Sequence, residues 1–310
     1  AQIAKIDAYV SMAETAAQNG YVRPEIDYGE EITIVDGRHP VVEKFVESYF
    51  VPNDTRLNIS DSRMMLITGP NMAGKSTYMR QVALIAVMAQ IGSFVPAREA
   101  RISICDKVFT RVGASDDLAS GQSTFMLEMT ECAHILKNAT KRSLIIYDEI
   151  GRGTSTYDGM SIARAIAEYT AKKIGAKTLF ATHYHELCEL EGKVPGVVNY
   201  NIAAKKRGDD ITFLRKIVKG GADDSYGIEV AKLAGVPNEI IKRAKEVLAE
   251  LLSGTAKPSK PRQTEPSEPE FTFENVLESQ LADEVKRLDL NTLTPIEALN
   301  KLYELKKIVG

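Results

Sequence analysis

The segment LITGPNMAGKST, residues 66–77, contains a glycine-rich loop of the kind that binds phosphate groups. It fits the pattern GxxxxGK[ST], with Gly69, Gly74, Lys75 and Ser76 at the fixed positions. In such a loop backbone N–H groups face the phosphates, the lysine reaches the β and γ oxygens, and the serine hydroxyl binds Mg²⁺. The apolar run before the loop predicts a buried strand, and the run after it predicts a helix whose N-terminal dipole attracts the same anion.

Two acidic residues follow a second apolar run, SLIIYDE. The run predicts a buried strand, and Asp148 at its carboxyl end is placed to hold Mg²⁺, directly or through water. Glu149 points differently and is suited to activate the attacking water as a general base. Paired acids also end many strands as solvated residues, so only their pairing with Lys75 indicates nucleotide hydrolysis.

A third predicted strand, KTLFAT, ends at His183. A histidine at this end of a strand lies on the same side of the sheet as Lys75 and Asp148, where it can donate a hydrogen bond to a γ-phosphate and sense hydrolysis. His185 and Cys188 follow in HYHELC, but this cluster has no obvious fourth ligand, which disfavours a zinc site.

The loop ASGQSTF, residues 119–125, offers a second anion-binding surface because small polar residues precede a predicted helix. From the residues alone two interpretations stay open. One is an ordinary capped helix, which is the simpler; the other is a surface that binds a nucleotide held by another subunit.

The elements that must position these residues divide the chain into five parts. Residues 31–222 alternate short Val, Ile and Leu runs with helical patterns, which is typical of an α/β sheet flanked by helices. Residues 1–30 indicate the end of an uncapped amphipathic helix, so we expect the chain to belong to a longer one. Residues 223–254 predict a helix-turn-helix, 255–270 a disordered linker rich in proline, and 271–310 a small helical tail.

Composition restricts the function further. The 310 residues are 44% hydrophobic, which is ample for a large core, and no apolar stretch is long enough to predict a membrane span. A net charge of −3 argues against a chain that coats nucleic acid as a whole. The 3 cysteines form no CxxC pair, which favours a reduced, cytoplasmic compartment.

Four segments, in this order and spacing, resemble the ATPase domain of the MutS family of DNA mismatch-repair proteins, a branch of the ABC ATPase superfamily. They are TGPNMAGKSTYMRQ, DDLASGQSTFMLEMTE, DEIGRGTSTYDG and ATHYHEL. The resemblance extends upstream to GRHPVVE and YFVPND and downstream to SYGIEVAKLAGVP, and covers about residues 36–252. It implies an ABC-type P-loop NTPase fold and a Mg²⁺-dependent ATPase.

The resemblance implies a role for each matched residue. Glu149 is the implied catalytic base, Lys75 and His183 complete the catalytic set, and His183 is the switch histidine. Ser76 and Asp148 are the implied magnesium ligands. The implied nucleotide-binding residues are Phe50, which stacks on adenine; Gly69, Pro70, Asn71, Met72, Ala73, Gly74, Lys75, Ser76 and Thr77 of the loop; and Ser120, Gly121 and Ser123, of which Ser123 approaches the γ-phosphate of a dimer partner.

The resemblance also implies partners. It implies a homodimer through the ATPase and helix-turn-helix surfaces, a tetramer through the tail, and a MutL-type repair partner. By composition Lys242, Arg243 and Lys245 would suggest major-groove binding, whereas in the family this unit clasps the neighbouring ATPase domain. Residues 1–30 would be the end of the lever helices that join the ATPase domain to the DNA clamp. Mismatched duplex DNA would be bound by N-terminal domains outside this chain, in a cytoplasmic, nucleoid-associated protein.

Three functions are compatible with these features. The first is an ATP-driven switch that couples nucleotide state to mismatched-DNA binding. The second is a MutS paralogue acting on recombination intermediates, which the STFMLEM segment disfavours. The third is a helix-turn-helix DNA-binding regulator with a vestigial nucleotide site, which the intact Lys75, Asp148 and Glu149 disfavour.

Overall fold

A computed structural model describes residues 2–46, 49–70, 73–113, 123–207, 210–221 and 226–252. The chain divides into two compact units, Ala1–Lys245 and Glu246–Gly310. The predicted linker and tail lie outside the described residues, as do Asn71, Met72, Ser120 and Gly121 of the predicted site.

Helices and strands alternate along most of the described chain. In order they are α1 (Gln2–Asn19), β1 (Glu25–Asp27), β2 (Glu31–Gly37), α2 (Val42–Phe45), β3 (Asn53–Asn58), β4 (Met64–Thr68), α3 (Lys75–Gln90), β5 (Glu99–Ser103), β6 (Val108–Arg111), α4 (Thr124–Asn138), β7 (Leu144–Asp148), α5 (Thr156–Tyr169), β8 (Lys177–Thr182), β9 (Val197–Arg207), β10 (Asp210–Lys219), α6 (Gly227–Leu233) and α7 (Asn238–Leu252). A π-helical turn, Thr170–Ile174, continues α5, and a 3₁₀ turn, His185–Leu190, follows β8.

The larger sheet has six strands in the order β10, β9, β4, β8, β7, β6. Neighbouring strands are parallel except β9 and β10, which form an antiparallel pair. In the register Thr68 lies opposite Thr182, and Asp148 lies opposite Ala181. The carboxyl ends of β4, β7 and β8 are therefore side by side at one edge, where ligands of open α/β sheets bind.

Helices cover both faces of this sheet. One apolar core joins β4, β7 and β8 to α3 and to the second sheet, which has the strand order β1, β5, β2, β3. The opposite face packs against α4 and α5 through a second core that includes Tyr147, Phe180, Cys132 and Ala163. All residues of β4, β7 and β8 are buried, and β4 and β7 are nearly continuous apolar runs, as expected for strands covered on both faces. The predicted α/β sheet with flanking helices is confirmed.

The described part of the chain ends in the two helices α6 and α7, between which Gly235 has a φ of 86°. A glycine in this conformation commonly ends a helix. Among the described residues no helix is both long enough and apolar enough to cross a membrane.

Candidate functional site

The glycine-rich loop connects β4 to the first turn of α3. Gly74 has a φ of 104° and immediately precedes α3, a left-handed conformation that side chains with a Cβ adopt at a cost. The Lys75 side chain is fully buried; its Nζ donates to the carbonyl of Gly69 and lies 3.6 Å from Oε1 of Glu149. Within the loop the Ala73 N–H donates to the carbonyl of Pro70 (3.3 Å). The lysine thus lies across its own loop and faces the end of β7.

Burial has a direct effect on the charge of Lys75. It lowers the pKa of the ammonium group to about 8, although the carboxylates of Glu149 and Asp148 oppose the shift. A buried cation is stabilised by a bound anion. The loop therefore presents a positive charge that a phosphate group would stabilise.

Asp148 and Ser76 together fit a divalent cation. Asp148 is buried at the end of β7, and burial raises the pKa of its carboxyl, while the hydrogen bond from Ser76 lowers it. Within the described residues Oδ1 of Asp148 has no hydrogen-bond partner. Carboxylate and hydroxyl oxygens are the ligands that Mg²⁺ prefers. An orphaned carboxylate oxygen next to a serine hydroxyl is consistent with the predicted magnesium ligands.

Glu149 has a different conformation from Asp148. Its φ is 60°, unusual for a residue other than glycine, and its N–H donates to the carbonyl of Ala181 (3.0 Å). Its Oε1 lies 2.5 Å from Nε2 of His183, and its Oε2 contacts Nη1 of Arg152. Left-handed non-glycine residues are concentrated at functional sites because their strain must be supported by the surroundings.

The surroundings keep Glu149 ionised. Burial alone would raise its pKa, but the hydrogen bond and charge of His183, together with Lys75 and Arg152, outweigh burial and lower the pKa below its ordinary value. A carboxylate that is ionised at neutral pH can accept a proton. The structure thus brings together Lys75, Asp148, Glu149 and His183, the four residues that the strand ends predicted.

A cavity of about 470 Å³ lies between the end of β7, α3 and α4. Three arginines line it, Arg80, Arg111 and Arg152, together with Ser76 and Asp148. Three carboxylates line the same cavity, so its charge is mixed: the arginines suit phosphate oxygens, and the acids suit a divalent cation. None of these arginines was predicted from the sequence; Arg80 and Arg152 lie within the motif segments, whereas Arg111 ends a strand without any local signal.

A second cavity, of about 290 Å³, lies on the other side of the loop and is lined by Phe50, Thr77 and Gly74. Its walls are mostly apolar and aromatic, as in sites for flat ligands. Arg215 of β10 also lines it and has a φ of 55°. Asn53 fixes this part of β10, because it donates to the carbonyl of Arg215 (3.0 Å) and accepts from the N–H of Ile217 (2.7 Å). Arg215 was not predicted from the sequence, since it lies far from every motif.

Ser123 lies at the N-terminus of α4. Its hydroxyl accepts a hydrogen bond from the Met126 N–H (3.4 Å), so it caps the helix, and its side chain is exposed. The next residue, Thr124, lines the arginine-rich cavity, but Ser123 itself does not. The hydroxyl is available on the surface, as a contact with a second subunit requires.

Comparison with known proteins places this site in a family. A family model described as MutS domain V matches residues 65–252, and one described as DNA mismatch repair protein MutS C-terminal region matches residues 269–308. The DNA mismatch repair protein MutS of Acetivibrio thermocellus is 56% identical over 316 residues, which covers 99% of this chain and 36% of that protein. The protein of the same name from Ruminiclostridium cellulolyticum is 57% identical over 316 residues, covering 98% of this chain and 36% of that protein.

The chain therefore spans about a third of the length of these curated relatives, 36% in each case. The domain V match contains the glycine-rich loop, Asp148, Glu149 and His183. Since this match covers more than half of the chain, the chain belongs to the MutS family of DNA mismatch-repair proteins.

Proposed function

We propose that this chain binds ATP with Mg²⁺, hydrolyses it, and works as the dimeric ATPase switch of a mismatch-repair protein. The observation that carries the proposal is the meeting of three strand ends. Lys75 follows β4, Glu149 follows β7 and His183 follows β8, and Glu149 lies 3.6 Å from the lysine and 2.5 Å from the histidine. Family membership supports the ATPase assignment.

The two cavities provide for the two ends of the nucleotide. The cavity with Phe50 and Arg215 suits adenine, and the cavity with Arg80, Arg111 and Arg152 suits phosphate oxygens. Mg²⁺ held by Ser76 and Asp148 would neutralise phosphate charge and help orient the triphosphate. Lys75 and the loop amides would bind the β- and γ-phosphates.

Hydrolysis needs one proton acceptor, and Glu149 fits this role. The oxygen of water forms a bond to the γ-phosphorus, the bond from that phosphorus to the bridging oxygen breaks, and ADP leaves with the electron pair. The Glu149 carboxylate accepts the proton of the water. His183 would donate a hydrogen bond to the γ-phosphate and so distinguish ATP from ADP.

Bound triphosphate would also change the partners of Glu149. Lys75 and His183 both contact this carboxylate, and both are donors suited to phosphate oxygens. When phosphate oxygens bind these donors, the carboxylate is released to bind water. The resting ion pairs therefore keep the base from acting before the substrate is in place.

The remaining assignments concern assembly. We propose that Ser123 approaches the γ-phosphate bound by a second subunit, that α6 and α7 form a helix-turn-helix that contacts that subunit, and that residues 271–310 allow tetramers. The match of residues 269–308 to a MutS C-terminal region supports the last assignment. Mismatched duplex DNA and a MutL-type protein are the proposed partners of the whole protein, which we place in the cytoplasm with the nucleoid.

Two substitutions test the catalytic assignment. Glu149→Ala should leave ATP binding intact and lower turnover by a factor of about 10² to 10⁴, the range for loss of a general base. Lys75→Ala should weaken ATP binding itself because it removes the buried cation. Turnover is measured as phosphate release, and binding is measured by titration with a fluorescent ATP analogue.

The matched control is Glu189→Ala, which removes an exposed glutamate whose ion pair with Lys193 lies outside the site. This variant should keep both turnover and binding. Wild-type turnover in Glu149→Ala would contradict the assigned base, and wild-type ATP affinity in Lys75→Ala would contradict the assigned phosphate site.

A further inference from the structure

Gly151 lies two residues beyond Glu149, and side chains from two other elements hold both of its backbone polar groups. Its N–H donates to Oε1 of Glu128 on α4 (2.6 Å). Its carbonyl accepts from the hydroxyl of Tyr184 (2.9 Å), the residue next to His183. One residue of the loop after β7 is thus bonded to the helix that begins at Ser123 and to the segment that follows β8.

Close packing fixes Gly151 further. Its φ is 93°, and a Cβ at this position would lie 2.4 Å from the carbonyl oxygen of Gly159 in the first part of α5. Two residues later, a Cβ on Gly153 would lie 2.8 Å from Cβ of Phe125 in α4. The loop after Glu149 is therefore held between α4 and α5, with no space for a side chain at either glycine.

Glu128 is connected to the site by its second oxygen as well. Its Oε2 lies 3.3 Å from Nη2 of Arg111, and both side chains are only about 5% exposed. Arg111 ends β6, lines the arginine-rich cavity, and lies 3.0 Å from Glu131, one turn further along α4. A buried charge pair of this kind favours a defined geometry, because a buried carboxylate without its cationic partner is costly.

We infer that Glu128 and Tyr184 are positioning residues that hold Gly151 so that Glu149 keeps its left-handed conformation. In that conformation the carboxylate faces Lys75 and His183. The inference rests on the proposed role of Glu149 as the base. The same contact gives α4 a second role. Ser123, at the N-terminus of α4, would meet the partner subunit, and a displacement there would reach the loop after Glu149 of the same chain through Glu128.

Tyr184→Phe and Glu128→Met test this inference in the 310-residue chain. The first removes one hydroxyl, and the second removes the acceptor of the Gly151 N–H at similar side-chain length. Each should lower kcat for ATP by a factor on the order of 10 to 100, as expected when a reacting group is displaced by a fraction of an ångström to about 1 Å. In Tyr184→Phe the dissociation constant of a fluorescent ATP analogue should stay unchanged, because Lys75 and the loop keep their places. Glu128→Met also removes a partner of Arg111 in the phosphate cavity, so only its kcat serves as a readout.

A double substitution separates positioning from general damage. If Tyr184 acts through Glu149, then Tyr184→Phe should cause no further loss of turnover in a Glu149→Ala background. The control is Tyr21→Phe, which removes a hydroxyl bonded to Glu43 (3.2 Å) outside the site and should keep wild-type kcat.

Three results would overturn the inference: wild-type kcat in Tyr184→Phe, an equal loss of ATP affinity in that variant, or a full additional loss in the double variant. If Glu128→Met does not fold, Tyr184→Phe decides alone. A different result would contradict the proposed function itself: either the wild-type chain does not hydrolyse ATP, or Glu149→Ala hydrolyses ATP at the wild-type rate. Neither result concerns the positioning of Gly151.

Discussion

The free-energy contribution of each charged residue at this site depends on the other charged residues. Among the described residues Glu149 contacts two cationic side chains, Lys75 and Arg152, and the imidazole of His183, and the lysine is fully buried. In an interior of low dielectric constant, removing one charge changes the free energy of every remaining one. The effects of substitutions among these four residues should therefore be non-additive, so each single variant has to be compared with the corresponding double variants.

Gln81 offers a simpler test because its amide group is neutral. It lies on α3 beside the cavity of Phe50, is fully buried, and within the described residues neither its Nε2 nor its Oε1 has a hydrogen-bond partner. An unsatisfied buried polar group costs about 1–3 kcal/mol. Gln81→Met, which nearly keeps the volume, should therefore raise the free energy of unfolding of the nucleotide-free chain by about that amount. The urea midpoint measures the change.

Gln90 on the same helix is the matched control. Its Nε2 donates to the Cys105 carbonyl (3.1 Å) and its Oε1 accepts from the Cys105 N–H (2.6 Å). Gln90→Met breaks both bonds and should lower the free energy of unfolding. The two variants should thus shift the urea midpoint in opposite directions, and a shift to lower urea for both would show that the Gln81 amide is satisfied.

At the scale of helices and strands, the local sequence predicted the three strands that position the site residues. β4 and β7 are apolar runs that end at Gly69 and at the two acids, and β8 is a shorter apolar segment that ends at His183. The sequence therefore predicted these three strands and their carboxyl ends. The same three runs are parallel neighbours in the sheet. The meeting of Lys75, Asp148, Glu149 and His183 follows from this order.

Pairing between distant segments could not be predicted in the same way. β5 follows α3 but pairs with β1 and β2 of the smaller sheet, because that sheet packs on the far side of α3. Residues whose role depends on contacts with segments distant in the sequence were also missed, among them Arg215, Arg111 and Glu128. No motif marks any of the three, and only its neighbours in space give each a role at the site.

At the N-terminus of α4, substitutions of Ser123 can separate helix capping from contact with a second subunit. Ser123 caps the helix, and we propose that it also reaches a partner's nucleotide. Ser123→Asn keeps a capping side chain, Ser123→Thr keeps both the cap and the hydroxyl, and Ser123→Ala keeps neither. Only Ser123→Ala should lose about 1 kcal/mol of unfolding free energy, whereas both Ser123→Ala and Ser123→Asn should lose ATP-dependent dimerisation.

Thermal melting measures the cap, and sedimentation velocity with ATP in the Glu149→Ala background measures dimers that are not lost to hydrolysis. Ser123→Thr is the control and should match the parent in both experiments. If Ser123→Asn dimerises as well as the parent, the hydroxyl serves only as a helix cap and has no role toward the partner.

At the scale of the whole molecule, the two family matches follow the two compact units approximately. The domain V match, residues 65–252, lies mostly within the first unit, Ala1–Lys245. The C-terminal region match, residues 269–308, lies wholly within the second unit, Glu246–Gly310. Most of the residues between the two matched regions belong to the proline-rich segment 255–270. We have proposed nucleotide binding for the first unit and tetramer formation for the second, so we predict that the two activities can be separated.

A chain ending at Leu252 tests that separation. It keeps Phe50, Lys75, Glu149, His183 and both helices α6 and α7, so we expect ATP turnover and ATP-dependent dimers to persist. It lacks the proposed tetramer-forming residues 271–310, so its mass should not exceed that of a dimer at any concentration. Light scattering after size-exclusion chromatography measures the mass, and phosphate release measures turnover.

The matched control keeps the tail and replaces residues 255–270 with a Gly/Ser segment of equal length. A flexible linker of the same length preserves the reach between its ends, so this variant should form the tetramers that we propose for the parent chain. Tetramers of the shortened chain would assign the assembly to residues 1–252 instead. A loss of turnover on shortening would mean that the tail contributes to the ATP site, because every residue proposed to bind or hydrolyse ATP is still present.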